Sequence, residues 1–117
     1  MPHFVVDCSE SILSTHAEET INEQLHQAAN STGLFSEGNI QVRVKAYSAN
    51  LVGGKKQEFI QVFASILEGR TKEQKQALSQ TVVTKLVEMF PEVQEIGMNI
   101  RDMEKGTGCS KSKLMAG

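Results

Sequence analysis

Apolar and polar positions alternate from the second residue onward. In PHFVVDC (2–8), Phe4, Val6 and Cys8 fall on one face while His3, Val5 and Asp7 fall on the other, which is the period of a strand. Val5 makes the second face partly apolar, so both faces are expected to be covered. The spacing then changes to that of a helix. Ser9 or Ser11 is expected to cap it, and it runs to about Ala29, with Ile21, Leu25 and Ala28 on its inward stripe and Ile12 and Ala17 near its start. NSTG (30–33) stops it, with Gly33 suited to a left-handed cap.

The alternation returns in IQVRVKAYSA (40–49), where Ile40, Val42, Val44 and Ala46 interleave with Gln41, Arg43, Lys45 and Tyr47. LVGGKKQE reads as a polar turn. FIQVFASIL (59–67) is apolar almost throughout, as a buried central strand is. Thr71 and Gln74 have capping-box spacing at the start of a second helix. Its stripe is Leu78, Val82, Leu86 and Met89, widened by Val83, Val87 and Phe90, and Pro91 ends it. MNIRDM (98–103) reads as a short last strand and KGTGCSKSKLMAG as an irregular tail.

The order is therefore β-α-β followed by β-α-β. Crossovers of this length imply parallel pairs with the helices on one side. The predicted fold is α/β in a two-layer α+β arrangement: a tandem β-α-β repeat forming a four-stranded sheet with two helices on one face. Residues 1–117 are expected to form a single domain, with halves at about 2–49 and 58–103 and a C-terminal tail at 104–117. The uncovered face includes apolar positions, which predicts an oligomer.

Composition narrows the partners. Hydrophobic residues make up 39% of the chain and aromatics only 5%, with no Trp, so the core must be aliphatic. A formal net charge of -2 argues against nucleic-acid binding. No apolar run approaches the ~20 residues of a membrane span, and no charged region leads into a long apolar stretch near the start, so a secretory signal is not expected. Cys8 sits in a strand and Cys109 in the tail, a distribution that suggests no disulfide framework and no metal site, with a reducing cytoplasm as the expected location. His16 and His26 are ten residues apart, roughly 80° out of register on a helix. They lack zinc-binding spacing and are expected at the surface.

Proline directly behind the initiator Met has two readings. It is a harmless strand start, where its missing N–H costs almost nothing. Alternatively, removal of Met1 exposes a secondary amine, a base no other residue supplies. With a free value of ~9, such an amine would be only about 1% neutral at pH 7, and a shift of two units down raises that to ~50%. Burial and nearby guanidinium groups both push in that direction; Phe4, Ile40, Phe63 and a neighbouring subunit are candidates for the apolar wall. Arg70, in LEGRT, stands at a strand's carboxyl end beside a helix N-terminus, a position suited to anion binding but equally open to simple solvation. Arg43 is open to the same two readings, since Arg43 and Lys45 together could be a solvated strand face.

A two-fold β-α-β plan that starts at Met-Pro and carries GRT at the start of the second helix resembles the tautomerase superfamily. MPHFVVDCSESI, TGLF (32–35), IQVRV and FIQVFASILEGRT narrow the similarity to the 5-carboxymethyl-2-hydroxymuconate Δ-isomerases, over about the first hundred residues. The resemblance implies a homotrimer, with the three bare sheet faces closing around a central axis. It also implies an isomerase without cofactor or metal, acting on an unsaturated hydroxy-dicarboxylate or tricarboxylate. Pro2 is then the catalytic base and Arg70 binds a substrate carboxylate. Gln41 stands where characterised members carry an arginine, and Arg43, two residues on and on the same strand face, is the nearest cation. Gln41 and Arg43 are thus both candidate substrate-binding residues. Two alternatives remain beside this one: a non-catalytic trimeric binding protein of the same fold, and a related hydratase or dehalogenase.

Overall fold

The computed structural model describes residues 1–116. Four strands form one sheet: β1 (His3–Ser9), β2 (Gln41–Tyr47), β3 (Phe59–Leu67) and β4 (Glu95–Met103), in the order β2-β1-β3-β4. β1 pairs in parallel with β2, and β3 in parallel with β4, while β1 and β3 meet antiparallel at the centre. The two parallel pairs are those the helical crossovers require. α1 (Glu18–Ser31) makes the first crossover and α2 (Lys72–Met89) the second.

Register decides which face is buried. Phe4 pairs with Val42 on one side and Ala64 on the other, so all three point to the same layer. On that face Phe4, Val6 and Cys8 of β1 and Ile60, Val62 and Ile66 of β3 are fully buried. The helices answer with Ile21, Leu25 and Ala28 from α1 and Leu78, Val82 and Leu86 from α2. Each large side chain so buried contributes about 1.5–3 kcal/mol. Val87 does not widen the α2 stripe; it is 48% exposed.

Thr71 caps α2 reciprocally: the Gln74 N–H donates to Thr71 Oγ1 at 3.1 Å and the Thr71 N–H to Gln74 Oε1 at 2.9 Å. The helix stops at Met89, two residues before Pro91. Gly33 ends α1 with φ 72°. Gly53 and Gly54 have φ of 57° and 79°, as the two central residues of a tight hairpin turn need, and Val52 and Lys55 bridge across them.

Residues 9–17 depart from the expected helix. Neither serine caps it. The buried Ser9 hydroxyl donates to Asn50 Oδ1 at 2.7 Å and accepts from the Phe59 N–H at 3.0 Å, and Ser11 donates to Glu58 Oε2 at 2.6 Å. With both hydroxyls committed to the 50–59 segment, the chain makes a short 3-10 turn (Glu10–Ser14), and α1 starts only at Glu18, behind an exposed Ala17. His16 is no surface residue either. Its Nε2–H donates to the Met89 carbonyl at 3.0 Å, and its ring meets Phe90 edge-on at 5.0 Å.

β4 is longer than its apolar run suggests, pairing with β3 from Glu95 to Met103. Lys75 claims Asp102 at 3.2 Å. The tail is not wholly irregular: Lys111–Ala116 forms a short helix, although residues 104–116 are all exposed. On the sheet's open face Phe63 is 48% and Leu67 38% exposed, so β3 is uncovered on one side. Among the described residues, no helix is long and apolar enough to cross a membrane.

Candidate active site

The antiparallel seam positions the site. Because β1 and β3 run in opposite directions, the start of β1 lies beside the end of β3, with His3 level with Ser65. Pro2, one residue earlier, is buried there, and its carbonyl accepts the Gln41 N–H at 3.1 Å. The chain leaving β3 turns through Gly69, whose φ of 119° favours glycine, and reaches Arg70 just ahead of the α2 cap. Residues 68 apart in sequence thereby meet.

They share a pocket of about 180 Å³. Leu34, Phe35 and Leu67 supply its apolar wall, and Ser36, Asn39 and Arg70 its polar side chains. The expected wall of Phe4, Ile40 and Phe63 is not the one found. Phe4 faces the helix layer and meets Phe35 edge-on from behind at 6.1 Å. Ile40 is buried in the core, and Phe63 lies level with Val5, farther along the open face. The turn after α1 takes their place. Its signal was the TGLF segment itself, two apolar residues behind a left-handed glycine.

Arg70 is held on three sides. Its Nη2 donates to the Leu34 carbonyl at 2.7 Å, its Nη1 to the Leu67 carbonyl at 3.3 Å, and its Cζ lies 5.1 Å from the Phe35 ring centroid. A guanidinium carries five N–H donors, so three remain for a ligand. Fixing the group in advance lowers the ordering cost of binding a carboxylate.

The other two sequence candidates separate here. The Gln41 Nε2 reaches Met1 Sδ at 3.2 Å, and Met1 itself lines the pocket, so Gln41 stands at the margin. Arg43 is not in the pocket. It lies level with Val5 on the open face and donates from Nη1 to His3 Nδ1 at 3.4 Å. Burial, then the Arg43 charge and the chain's N-terminal charge, hold the His3 imidazole below its ordinary pKa. With Met1 attached, the Pro2 nitrogen is an amide; an amine exists there only in the chain without it.

A larger cavity of about 640 Å³ lies at the opposite end of β1, beside Ser9, Tyr47 and Asn50. Its central polar groups are already spent on one another: Ser9 on Asn50, and the Asn50 amide on the Gln57 carbonyl at 2.8 Å. Among the described residues, no three His, Cys, Asp or Glu side chains gather to hold a metal ion.

The model of the 5-carboxymethyl-2-hydroxymuconate isomerase family matches residues 2–105, from the buried proline through β4. The chain belongs to this family. Solved structures share the fold of this isomerase-family chain at low identity. Pt0534 inactivated by 2-oxo-3-pentynoate superposes with a TM-score of 0.83 at 15% identity, covering 98% of each chain. The asymmetric trimer of a wild-type fused 4-OT gives 0.79 at 15% identity and the same coverage of 98% on both sides. A 5-carboxymethyl-2-hydroxymuconate delta-isomerase gives 0.74 at 15% identity, over 99% of this chain and 91% of the other. Comparison with curated proteins gives no match.

Proposed function

We propose that the chain, after loss of Met1, is a cofactor-free tautomerase that moves a proton on an unsaturated 2-hydroxy acid, with the Pro2 amine as general base. The observation that carries this reading is the meeting of Pro2 and Arg70 in one small, largely apolar pocket. The amine nitrogen takes the proton from the enol hydroxyl as the C–O bond gains double-bond character. The same nitrogen then returns a proton to a carbon of the diene, so that the enol becomes a ketone with no net change in atoms. Arg70 binds the substrate carboxylate with its spare N–H groups and stabilises the dienolate that develops between the two transfers. Its positive charge and the apolar wall both favour the neutral amine.

A homotrimer fits this reading. The partly apolar open face around Phe63 and Leu67 needs cover, and a structure of the same fold is an asymmetric trimer. Light scattering at three chain masses supports it; one chain mass removes it. Both cysteines are free thiols, which suits a cytoplasmic protein.

The test is ketonisation of phenylenolpyruvate by protein whose intact mass lacks one methionine. Pro2→Ala is expected to lower kcat about 10²- to 10⁴-fold, the usual worth of a positioned acid–base group. Equal rates for variant and parent overturn the role. One other reading turns on whether Met1 is removed. If native material keeps Met1, the base is absent and the chain is a binding protein of the same fold.

A further inference from the structure

The open face of the sheet holds one group whose charge changes near neutrality. His3 lies there, level with Gln41 of β2 and Ser65 of β3, and Arg43 stands one step farther along the face of β2. Arg43 donates from Nη1 to His3 Nδ1 at 3.4 Å, which makes that nitrogen an acceptor. The contact exists only with a neutral imidazole whose proton is on Nε2. A protonated His3 has no acceptor left and sets a second cation beside the guanidinium. The pair belongs to β1 and β2 and involves no atom of Met1.

Register fixes the other charges on this face. Arg43 and Lys45 come from β2 and Asp7 from β1. Arg101, level with Ser65, and Glu95, level with Phe59, come from β4, and β3 carries none. Neither carboxylate reaches His3. Asp7 is four residues along the strand, about 13 Å away, level with Lys45 and accepting from the Tyr47 hydroxyl at 3.2 Å. Glu95 lies at the far end of β4. The charges nearest His3 are Arg43, Arg101 about 10 Å away across Ser65, and the chain's N-terminal charge, all of them positive.

A second copy of the chain brings the same set. Where open faces meet, each copy supplies Arg43, Lys45 and Arg101 against Asp7 and Glu95, one net positive charge with His3 neutral and two with it protonated. Val5 and Phe63, paired on this face, offer the apolar surface that joins the copies. An imidazolium covered there loses its water and gains no counter-charge, whereas the neutral ring is covered at little cost. Burial and Arg43 already hold the His3 imidazole below its ordinary value in the single chain, and further cover acts in the same direction. The joined state therefore binds fewer protons than the separate chains, and acid favours separation.

We infer that His3 is a proton switch for self-association: neutral, it accepts from Arg43 and lets the open faces close on one another; protonated, it holds the chains apart. The inference rests on the homotrimer reading and adds its regulation.

Sedimentation velocity at fixed protein and salt concentration, with far-UV circular dichroism on the same samples, tests it. At about pH 7.5 the parent is expected at three chain masses. At about pH 5, below the ordinary imidazole value of ~6.5 and above that of carboxylates, it should fall to one chain mass with its helix signal kept. The dissociation constant should rise by about tenfold per His3, roughly 10³-fold for a trimer. His3→Gln gives Arg43 a neutral acceptor at every pH and should stay at three chain masses in both buffers. Acid dissociation that persists undiminished in His3→Gln overturns the inference, as does a fall in mass that comes with loss of helix. Without any variant, the His3 ring should titrate at lower pH in the trimer than in chains separated by dilution; equal midpoints overturn the switch. If the parent stays at three chain masses in both buffers, the switch falls and the trimer stands. One chain mass already at about pH 7.5 removes the trimer reading, and the switch with it.

Discussion

Arg70 sits over the face of Phe35, its Cζ 5.1 Å from the ring centroid, while Phe35 rests edge-on against the buried Phe4. The aromatic pair gives the guanidinium a backing that belongs to the core. A cation–π contact of this kind is worth about 0.5–1 kcal/mol where partly exposed. Phe35→Leu keeps apolar bulk but removes the π face, so KM for a carboxylate substrate should rise roughly two- to fivefold with kcat little changed. Arg70→Ala removes charge-assisted bonds of about 1.5–3 kcal/mol and should lower kcat/KM roughly 10- to 150-fold. Steady-state kinetics separates the two; a Phe35→Leu effect confined to kcat contradicts the positioning role.

Cys8 and Cys109 should behave as different reagents. Cys8 is fully buried, and burial, aided by the Glu18 and Asp7 charges, pushes its thiol up to about 11. An aromatic disulfide reagent should therefore label one thiol per native chain, at Cys109, and two after denaturation. The raised value also sets a sign. The folded state holds the Cys8 proton more tightly than the unfolded one, so stability from this group is complete below the thiol's ordinary range and is lost as pH rises toward 11. Cys8→Ala should flatten that alkaline limb; rapid native labelling of two thiols contradicts the burial.

At the acid end, His3 carries the sign. Its folded pKa is lowered, first by burial and then by Arg43. The unfolded chain takes up the proton first, so stability present above about 6.5 should fall as pH drops through the lower folded value. An NMR titration of the His3 ring should give a midpoint below 6.5, moved partly back by Arg43→Gln. A midpoint unchanged by that substitution removes the proposed coupling.

The Thr71 cap is testable separately from activity. Thr71→Ala removes the acceptor for the Gln74 N–H and should cost about 1 kcal/mol in urea unfolding, with Thr71→Ser recovering most of it. Loss of the cap one residue after Arg70 should also weaken carboxylate binding. A variant with unchanged midpoint shows the cap to be replaced by water.

The sheet and both crossovers were legible because period-two alternation and the Thr71–Gln74 spacing are local signals. The limits of β3 follow its apolar run from Phe59 to Leu67. Segment 9–17 was not legible, since its serines answer to Asn50 and Glu58, some forty residues away, and no local rule reports that. β4 was read short for a similar reason. Glu95 and Gly97 look like loop residues, yet pairing with β3 recruits them, and the Gln61 amide lies where a Cβ on Gly97 would be.

Pro2 and Arg70, singled out by residue type and by the family resemblance, line one pocket. The separation of Arg43 from Gln41 was not legible. Both share one strand face, and only the register against β1 reveals that one borders the pocket while the other pairs with His3. The apolar wall was misassigned because alternation alone cannot tell that a turn, Leu34–Phe35, reaches farther toward Pro2 than the strand residues beside it.

Chain starts usually fray, but here the second residue is wedged between two strands and walled in by a turn. Met1, just ahead of it, is 50% exposed, so an affinity tag fused there leaves from the surface; it nevertheless keeps the Pro2 nitrogen an amide, whereas one added behind the solvent-facing tail near Lys113 leaves that nitrogen free to be uncapped.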